Sequence, residues 1–345
     1  MLQVKEQLKK QLGKQLKNKV KNNKHKFKKK VILFPELDER ILKATFDLKK
    51  EKIIEPVIVT FDRKSLFNKL QIKKLLSNKS TNKNYIVKNI IISEEKELVD
   101  KYSKKLYNLR KKKGLTFLEA KKLIMEPIYF ATMMLYENEA DGLVSGANHP
   151  TAHTLRPALQ IIKTKKKNSI ASSTFLMLKK NKEPLFFSDC GMNIKPSSKE
   201  LLQIAVSTAE TAKFFGIKPK LAFLSFSTKG SAKHEEVDRV LKAVKLAKKS
   251  LKIPFDGELQ FDAAFVSQVA KLKAPKSKVA GKTNIFIFPD LNSGNIGYKI
   301  AQRLGGYKAL GPIVQGLKKP VNDLSRGCTI EEIKELAYIT ALQSI

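Results

Sequence analysis

Cysteine is almost missing from this chain, which has only Cys190 and Cys328. Neither a CxxC pair nor a framework of cysteines is present, which excludes a disulfide scaffold and argues against a structural metal. No apolar run reaches the roughly 18 residues that a membrane-spanning helix needs. The start, Met1-Leu2-Gln3-Val4-Lys5, lacks the apolar block of a signal peptide, so the expected location is the cytoplasm. Two glycine-loop signatures are also missing. GxxxxGK[ST] does not occur, and no GxGxxG follows a strand, which counts against a Walker-type nucleotide site and a nicotinamide dehydrogenase. Arginine is scarce too: of 68 basic residues, seven are Arg.

What is present suits two globular domains. The chain has 345 residues, 42% hydrophobic and 29% charged. A formal net charge of +36 invites a nucleic-acid partner. The distribution argues against that as the main function, because the lysines are scattered over helix faces and loops (Lys73-Lys74, Lys104-Lys105, Lys248-Lys249). The exception is the stretch 1–30, with 12 Lys against one Glu. Leu8, Leu12 and Leu16 recur there at helical spacing, which predicts a basic amphipathic helix, either solvated or an arm for an anionic surface.

Where lysine is so frequent, windows without it mark places that reject it. Residues 123–162, 253–270 and 320–333 contain none. Burial explains part of this. These windows nevertheless retain His149, His153, Arg156, Gln260, Asp262, Asn322, Asp323 and Arg326, and polar residues kept among apolar ones point to a site.

Apolar runs alternate with helical spacing along the chain. Strands are predicted at Val31–Phe34, Pro56–Thr60, Ile86–Ile92 and Gly142–Ser145, then at Ser173–Leu178, Leu185–Ser188, Leu221–Phe226 and Asn284–Phe288. Helices are predicted over 36–50, 94–113, 154–163 with Pro157 in the first turn, 197–215, 234–250, 262–272, 294–304 and 330–344. Thr116 and Glu119 form a capping-box pattern before a helix interrupted near Pro127. This order implies βαβ units and parallel sheets.

Three constellations carry chemistry. Ser145–Arg156 runs from a strand end to a helix start, with Thr151, Thr154 and Arg156 placed to receive an anion; the bland reading is a capped helix with a surface arginine. His149 and His153 are four apart, but no third ligand is near enough in sequence to suggest a metal. Asp189–Asn193 and Ser225–Ser231 follow strands, and read equally as ligand loops or as turns. In Pro320–Cys328, a turn built on Pro320, Asn322 and Asp323 leads into Ser325-Arg326-Gly327-Cys328, ahead of a helix.

Together these segments resemble the phosphate acetyltransferases of the phosphate acetyl/butyryltransferase family, over almost the whole chain from Val31. Asp141–Lys163, Phe187–Asn193, Leu224–Lys233, Asp256–Phe265, Gly294–Gly305 and Gly311–Cys328 carry the likeness in order. The resemblance implies two α/β/α domains with mainly parallel sheets and an interdomain cleft, similar to the isocitrate and isopropylmalate dehydrogenase fold. Residues 1–160 with 312–345 would form one domain and 161–311 the other. It also implies a homodimer and no cofactor or metal; no membrane partner is expected, and the scattered lysines argue against a nucleic-acid partner.

The implied reaction moves acetyl reversibly between acetyl phosphate and coenzyme A, by thiolate attack in a ternary complex. Arg326 would assist acyl transfer, Ser325 and Arg303 would meet coenzyme A, and Arg110, Arg156 and Thr151 would hold the acyl phosphate. The general base would be Glu332, where the family has aspartate. Further departures are Phe34–Arg40, which lacks the family's glycine, Pro150 in place of Ser, and His153 in place of Asp. Cys328 is not needed as an acyl carrier, because direct transfer requires no such step. Rival readings are a butyryl or other acyl specificity, and a basic nucleic-acid-binding protein on an inactive transferase fold.

Overall fold

In a computed structural model of the chain, the described residues are 30–66, 87–166 and 169–345. The basic helix expected over 1–30 lies outside them except for Lys30. Among the described residues, no helix is long and apolar enough to cross a membrane. The chain divides into two compact units, one made of the residues up to Lys163 with Leu317–Ile345, the other of Thr164–Gly316.

In the first unit β1 (Lys30–Phe34) ends at Pro35, and helix α1 (Glu39–Glu51) begins three residues later than the apolar spacing predicts. Asp38 sets that start by accepting the Arg40 backbone N–H at 2.7 Å, which leaves Glu36 in the loop. Next come β2 (Ile54–Thr60), β3 (Lys88–Ile91) and α2 (Lys96–Arg110). The Thr116–Glu119 capping box is complete and opens α3 (Phe117–Ile124), while Pro127 opens α4 (Pro127–Tyr136). After β4 (Gly142–Ser145), helix α5 spans Thr151–Pro157. It starts three residues ahead of the expected helix, so Pro157 closes it rather than opening it. Pro157 has no N–H to give, and a π turn follows over Ala158–Ile162, with the Lys163 N–H on the Ala158 carbonyl at 3.0 Å.

The second unit holds β5 (Ser172–Leu178), β6 (Leu185–Ser188), α6 (Ser198–Phe214), β7 (Leu221–Leu224), α7 (Glu235–Ser250) and β8 (Phe255–Leu259). The helix expected over 262–272 is two, α8 (Phe261–Phe265) and α9 (Ser267–Lys273), broken at the extended Val266. Then follow β9 (Ile285–Ile287), α10 (Leu291–Arg303) and β10 (Lys308–Gln315). The chain finally re-enters the first unit with β11 (Val321–Asp323) and α11 (Ile330–Gln343).

The first unit's sheet is wholly parallel, in the order β11-β4-β1-β2-β3. The second has the order β10-β5-β6-β9-β7-β8, in which β5 runs antiparallel to both neighbours and the remaining pairs are parallel. Ile32, Leu33 and Phe34 of β1 and Ile333, Leu336 and Ile339 of α11 are fully buried or nearly so, as expected of elements that pack a parallel sheet. Among the described residues Lys334 is the lysine without a surface role. It is buried and paired with Asp47 at 3.2 Å, Glu51 at 3.1 Å and Glu331 at 3.3 Å, which ties α11 to α1.

Candidate active site

The order β11-β4-β1-β2-β3 places a topological switch at β1, since the chain leaves it towards β2 and later returns on its other side with β4. In open parallel sheets ligands bind outside the carboxyl ends of strands at such a point. Three loops meet there: Pro35–Asp38 after β1, Gly146–Pro150 after β4, and Leu324–Thr329 after β11. Ser145 and Asp323 lie opposite each other in the β4–β11 ladder.

Two residues fasten these loops from behind. Glu36 is 4% exposed. Its carboxylate accepts the Ser145 hydroxyl at 2.7 Å and the backbone N–H groups of Gly146 at 2.6 Å and Ala147 at 3.0 Å. The Arg40 guanidinium donates to the carbonyls of Ala147 at 2.9 Å, Arg326 at 2.8 Å and Cys328 at 3.0 Å, and it pairs with Asp38 at 3.0 Å. One arginine thus joins all three loops. Neither residue was among the expected site residues, although the rarity of arginine marks Arg40 in the sequence.

Asp323 is a second buried carboxylate beside these loops. The sequence predicts a turn at Asn322-Asp323, whereas the two residues end the buried strand β11. One carboxylate oxygen, Oδ2, accepts the Thr151 hydroxyl at 2.7 Å, so that hydroxyl is directed inward. The Thr154 hydroxyl also lies against this carboxylate, but neither Thr154 Oγ1 nor Asp323 Oδ1 reaches hydrogen-bond geometry. Burial pushes the Asp323 carboxyl up to about 6; the hydroxyls oppose the shift and Glu36 adds to it.

The ring of His149, in the loop before α5, stacks on that of His153 at 4.2 Å, and among the described residues His153 Nδ1 is buried and unpartnered. Burial lowers the His153 pKa, and His149 and Arg156 lower it further against the pull of Glu36. Arg156, on the same helix, and Arg110, the last residue of α2, both bear on Tyr129. Burial raises that phenol's pKa, and the two arginines oppose the rise. The Tyr129 hydroxyl donates to Gln160 at 3.1 Å.

Ser325 and Arg326 sit exposed in a tight turn closed by the Cys328 N–H on the Ser325 carbonyl at 2.9 Å. Cys328 beneath them is buried, and burial pushes its thiol up to about 11, which leaves little thiolate at neutral pH. Glu332 is the N3 residue of α11 in a second capping box. Its Oε2 accepts the Thr329 N–H at 2.8 Å, and its own N–H donates to Thr329 Oγ1 at 3.2 Å. The spacing Thr329-x-x-Glu332 carries that signal in the sequence, so the residue read as a base is also a helix cap.

In the second unit Arg303 ends α10 and is exposed. The loops there that read as ligand or turn are held by their own bonds. Asp189 accepts the N–H groups of Ser173, Gly191, Met192 and Asn193 at 3.0–3.2 Å. Ser227 donates to the buried Glu258 at 3.1 Å, and Thr228 N–H donates to Ser231. Gln260 and Asp262 share Lys273, at 3.0 and 2.9 Å. Among the described residues no three His, Cys, Asp or Glu side chains converge to hold a metal.

The seven arginines divide cleanly. Arg40, Arg63 and Arg239 are paired with Asp38, Glu94 and Glu236. The side chains of Arg110, Arg156, Arg303 and Arg326 make no hydrogen bond or ion pair among the described residues.

The profile of the family described as phosphate acetyl/butaryl transferase matches residues 15–341. A phosphate acetyltransferase of Bacillus subtilis is 48% identical over 316 residues, covering 91% of this chain and 94% of the relative. Among solved structures, a phosphotransacetylase from Streptococcus pyogenes superposes with a TM-score of 0.83 at 48% identity, over 92% of this chain and 94% of that one. The EutD phosphotransacetylase from Staphylococcus aureus gives 0.80 at 44% identity, over 98% of both chains.

Proposed function

The chain belongs to the phosphate acetyl/butyryl transferase family, and from that we propose how its residues serve the reaction acetyl-CoA + phosphate = CoA + acetyl phosphate. It is an acyltransferase, and its relatives are phosphate acetyltransferases. The observation that carries the site reading is the division of the arginines. Among the described residues four guanidiniums make no hydrogen bond or ion pair, which suits groups that take the phosphates of two anionic substrates.

Arg110 and Arg156, with Thr151, hold the phosphoryl group and favour its departure as inorganic phosphate. Arg326, on a turn fixed from below by Arg40, stabilises the oxyanion that forms when the thiolate attacks the acetyl carbonyl. Ser325 and Arg303 bind coenzyme A, which is a substrate rather than a resident cofactor. Glu332 accepts the thiol proton, with Oε1 available while Oε2 caps the helix. Cys328 carries no acetyl group, since its buried thiol is poorly ionised. The active protein is a cytoplasmic homodimer.

The test is coenzyme A-dependent release of phosphate from acetyl phosphate, with formation of the thioester followed directly. Arg326→Gln should lower kcat by about 10²-fold while changing the KM for acetyl phosphate little. Unchanged turnover would remove Arg326 from the mechanism, and a wild-type protein that makes no thioester would refute the reaction itself.

A further inference from the structure

Asp323 takes part in none of these steps, yet its carboxylate is 1% exposed at the end of β11 and only half satisfied. Oδ2 holds the Thr151 hydroxyl at 2.7 Å, while Oδ1 has no hydrogen bond. The backbone closes over it: a β-carbon on Gly146 would stand 2.2 Å from Oδ1. From the β1–α1 loop it is faced by buried Glu36, and from α5 by Thr151 and Thr154. The remaining charged or titratable groups of α5 and its approach are His149, His153 and Arg156, and of these His149 and Arg156 act, with Glu36, on His153.

A hydroxyl has one hydrogen to give. While Asp323 is ionised, Thr151 gives that hydrogen to the carboxylate and has none for a ligand. A protonated Asp323 donates to Thr151 Oγ1 instead, which frees the hydroxyl to donate outward. An arriving anion favours this second arrangement twice, by accepting the freed hydrogen and by disfavouring another negative charge nearby.

We infer that Asp323 is a positioning residue that takes up a proton from solvent when an anionic substrate group binds, and thereby turns the Thr151 hydroxyl from the carboxylate to the ligand. The inference rests on the proposed reading of Thr151 as a phosphate contact. Burial pushes the carboxyl up to about 6, so the exchange falls within reach of neutral pH.

Sulfate is a suitable probe because it stays a dianion between about pH 6 and 8, whereas phosphate titrates there. Sulfate would be titrated calorimetrically into the full chain in buffers of different ionisation enthalpy, which reads protons taken up per anion bound. Wild type should take up a measurable fraction of a proton, with affinity several-fold higher at pH 6 than at pH 8. Asp323→Asn should abolish both effects, and His153→Gln should leave both in place. Thr151→Val should weaken binding several-fold at pH 6 and hardly at all at pH 8, where the ionised carboxylate holds the hydroxyl anyway. No uptake by wild type, uptake surviving in Asp323→Asn, uptake lost in His153→Gln, or no saturable sulfate binding would each overturn the inference. Acetyl transfer, assayed on the same preparations, tests the proposed reaction separately.

Discussion

Glu332 and Asp323 are both carboxylates beside the site, and their surroundings give them opposite experimental signatures. Glu332 caps α11 and is the proposed base, and two substitutions separate those tasks. Gln can complete a capping box, so Glu332→Gln should fold like wild type and lose about 10²-fold in kcat; Glu332→Ala should also lose about 1 kcal/mol of stability. Equal kcat in wild type and Glu332→Gln, measured from pH 6 to 9, would return this residue to a purely structural role. For Asp323 the sign follows from a carboxyl that binds its proton more tightly in the folded state than in the unfolded chain. Its ionisation costs nothing below the ordinary Asp pKa, and the cost is fully present above about 6. Between pH 4 and pH 8 the stability of Asp323→Asn relative to wild type should therefore move in favour of Asn by up to about 3 kcal/mol. Chemical denaturation at the two pH values measures this, and a difference of zero would mean that Asp323 titrates normally.

At the scale of elements, the loop after β4 shows why the small residues of Ser145-Gly146-Ala147 are needed. In the fold the neighbouring strand approaches them closely. Gly146 has φ +111, and a β-carbon there would meet Asp323 Oδ1 at 2.2 Å and the Leu324 N at 2.7 Å. Gly146→Ala should cost on the order of 3 kcal/mol, read as a lowered Tm, because it adds both backbone strain and overpacking. Composition decides which strands are legible in the sequence. β1 and β4 are apolar runs bounded by turn residues and show plainly in the sequence. β8 carries Asp256 and Gly257, β10 contains Gly311-Pro312 at a ladder irregularity on the sheet edge, and β11 is three residues ending in Asn322-Asp323. Those compositions normally make turns, and only pairing with β7, β5 and β4 makes them strands.

For the whole molecule, the +36 charge bears on kinetics more than on fold. Coenzyme A and acetyl phosphate are anions, so a strongly positive protein should gather them over distances longer than any contact. Raising salt from about 20 to about 200 mM should lower kcat/KM several-fold and leave kcat nearly unchanged, because screening acts on encounter rather than on the bound complex. A kcat that falls in parallel would indicate damage to the site instead.

The sequence by itself determined the α/β class, because apolar periodicity is local, and its resemblance to the family singled out Arg110, Arg156, Arg303 and Arg326 as site candidates. Tertiary structure decided what those residues stand on. Glu36, Arg40 and Asp323 matter through partners about 110 to 290 positions away, and hydrogen bonds over such separations leave no spacing to read. It also turned the Thr151 hydroxyl inward, since where a polar group's hydrogen bond goes is set by the acceptor that the fold brings to it.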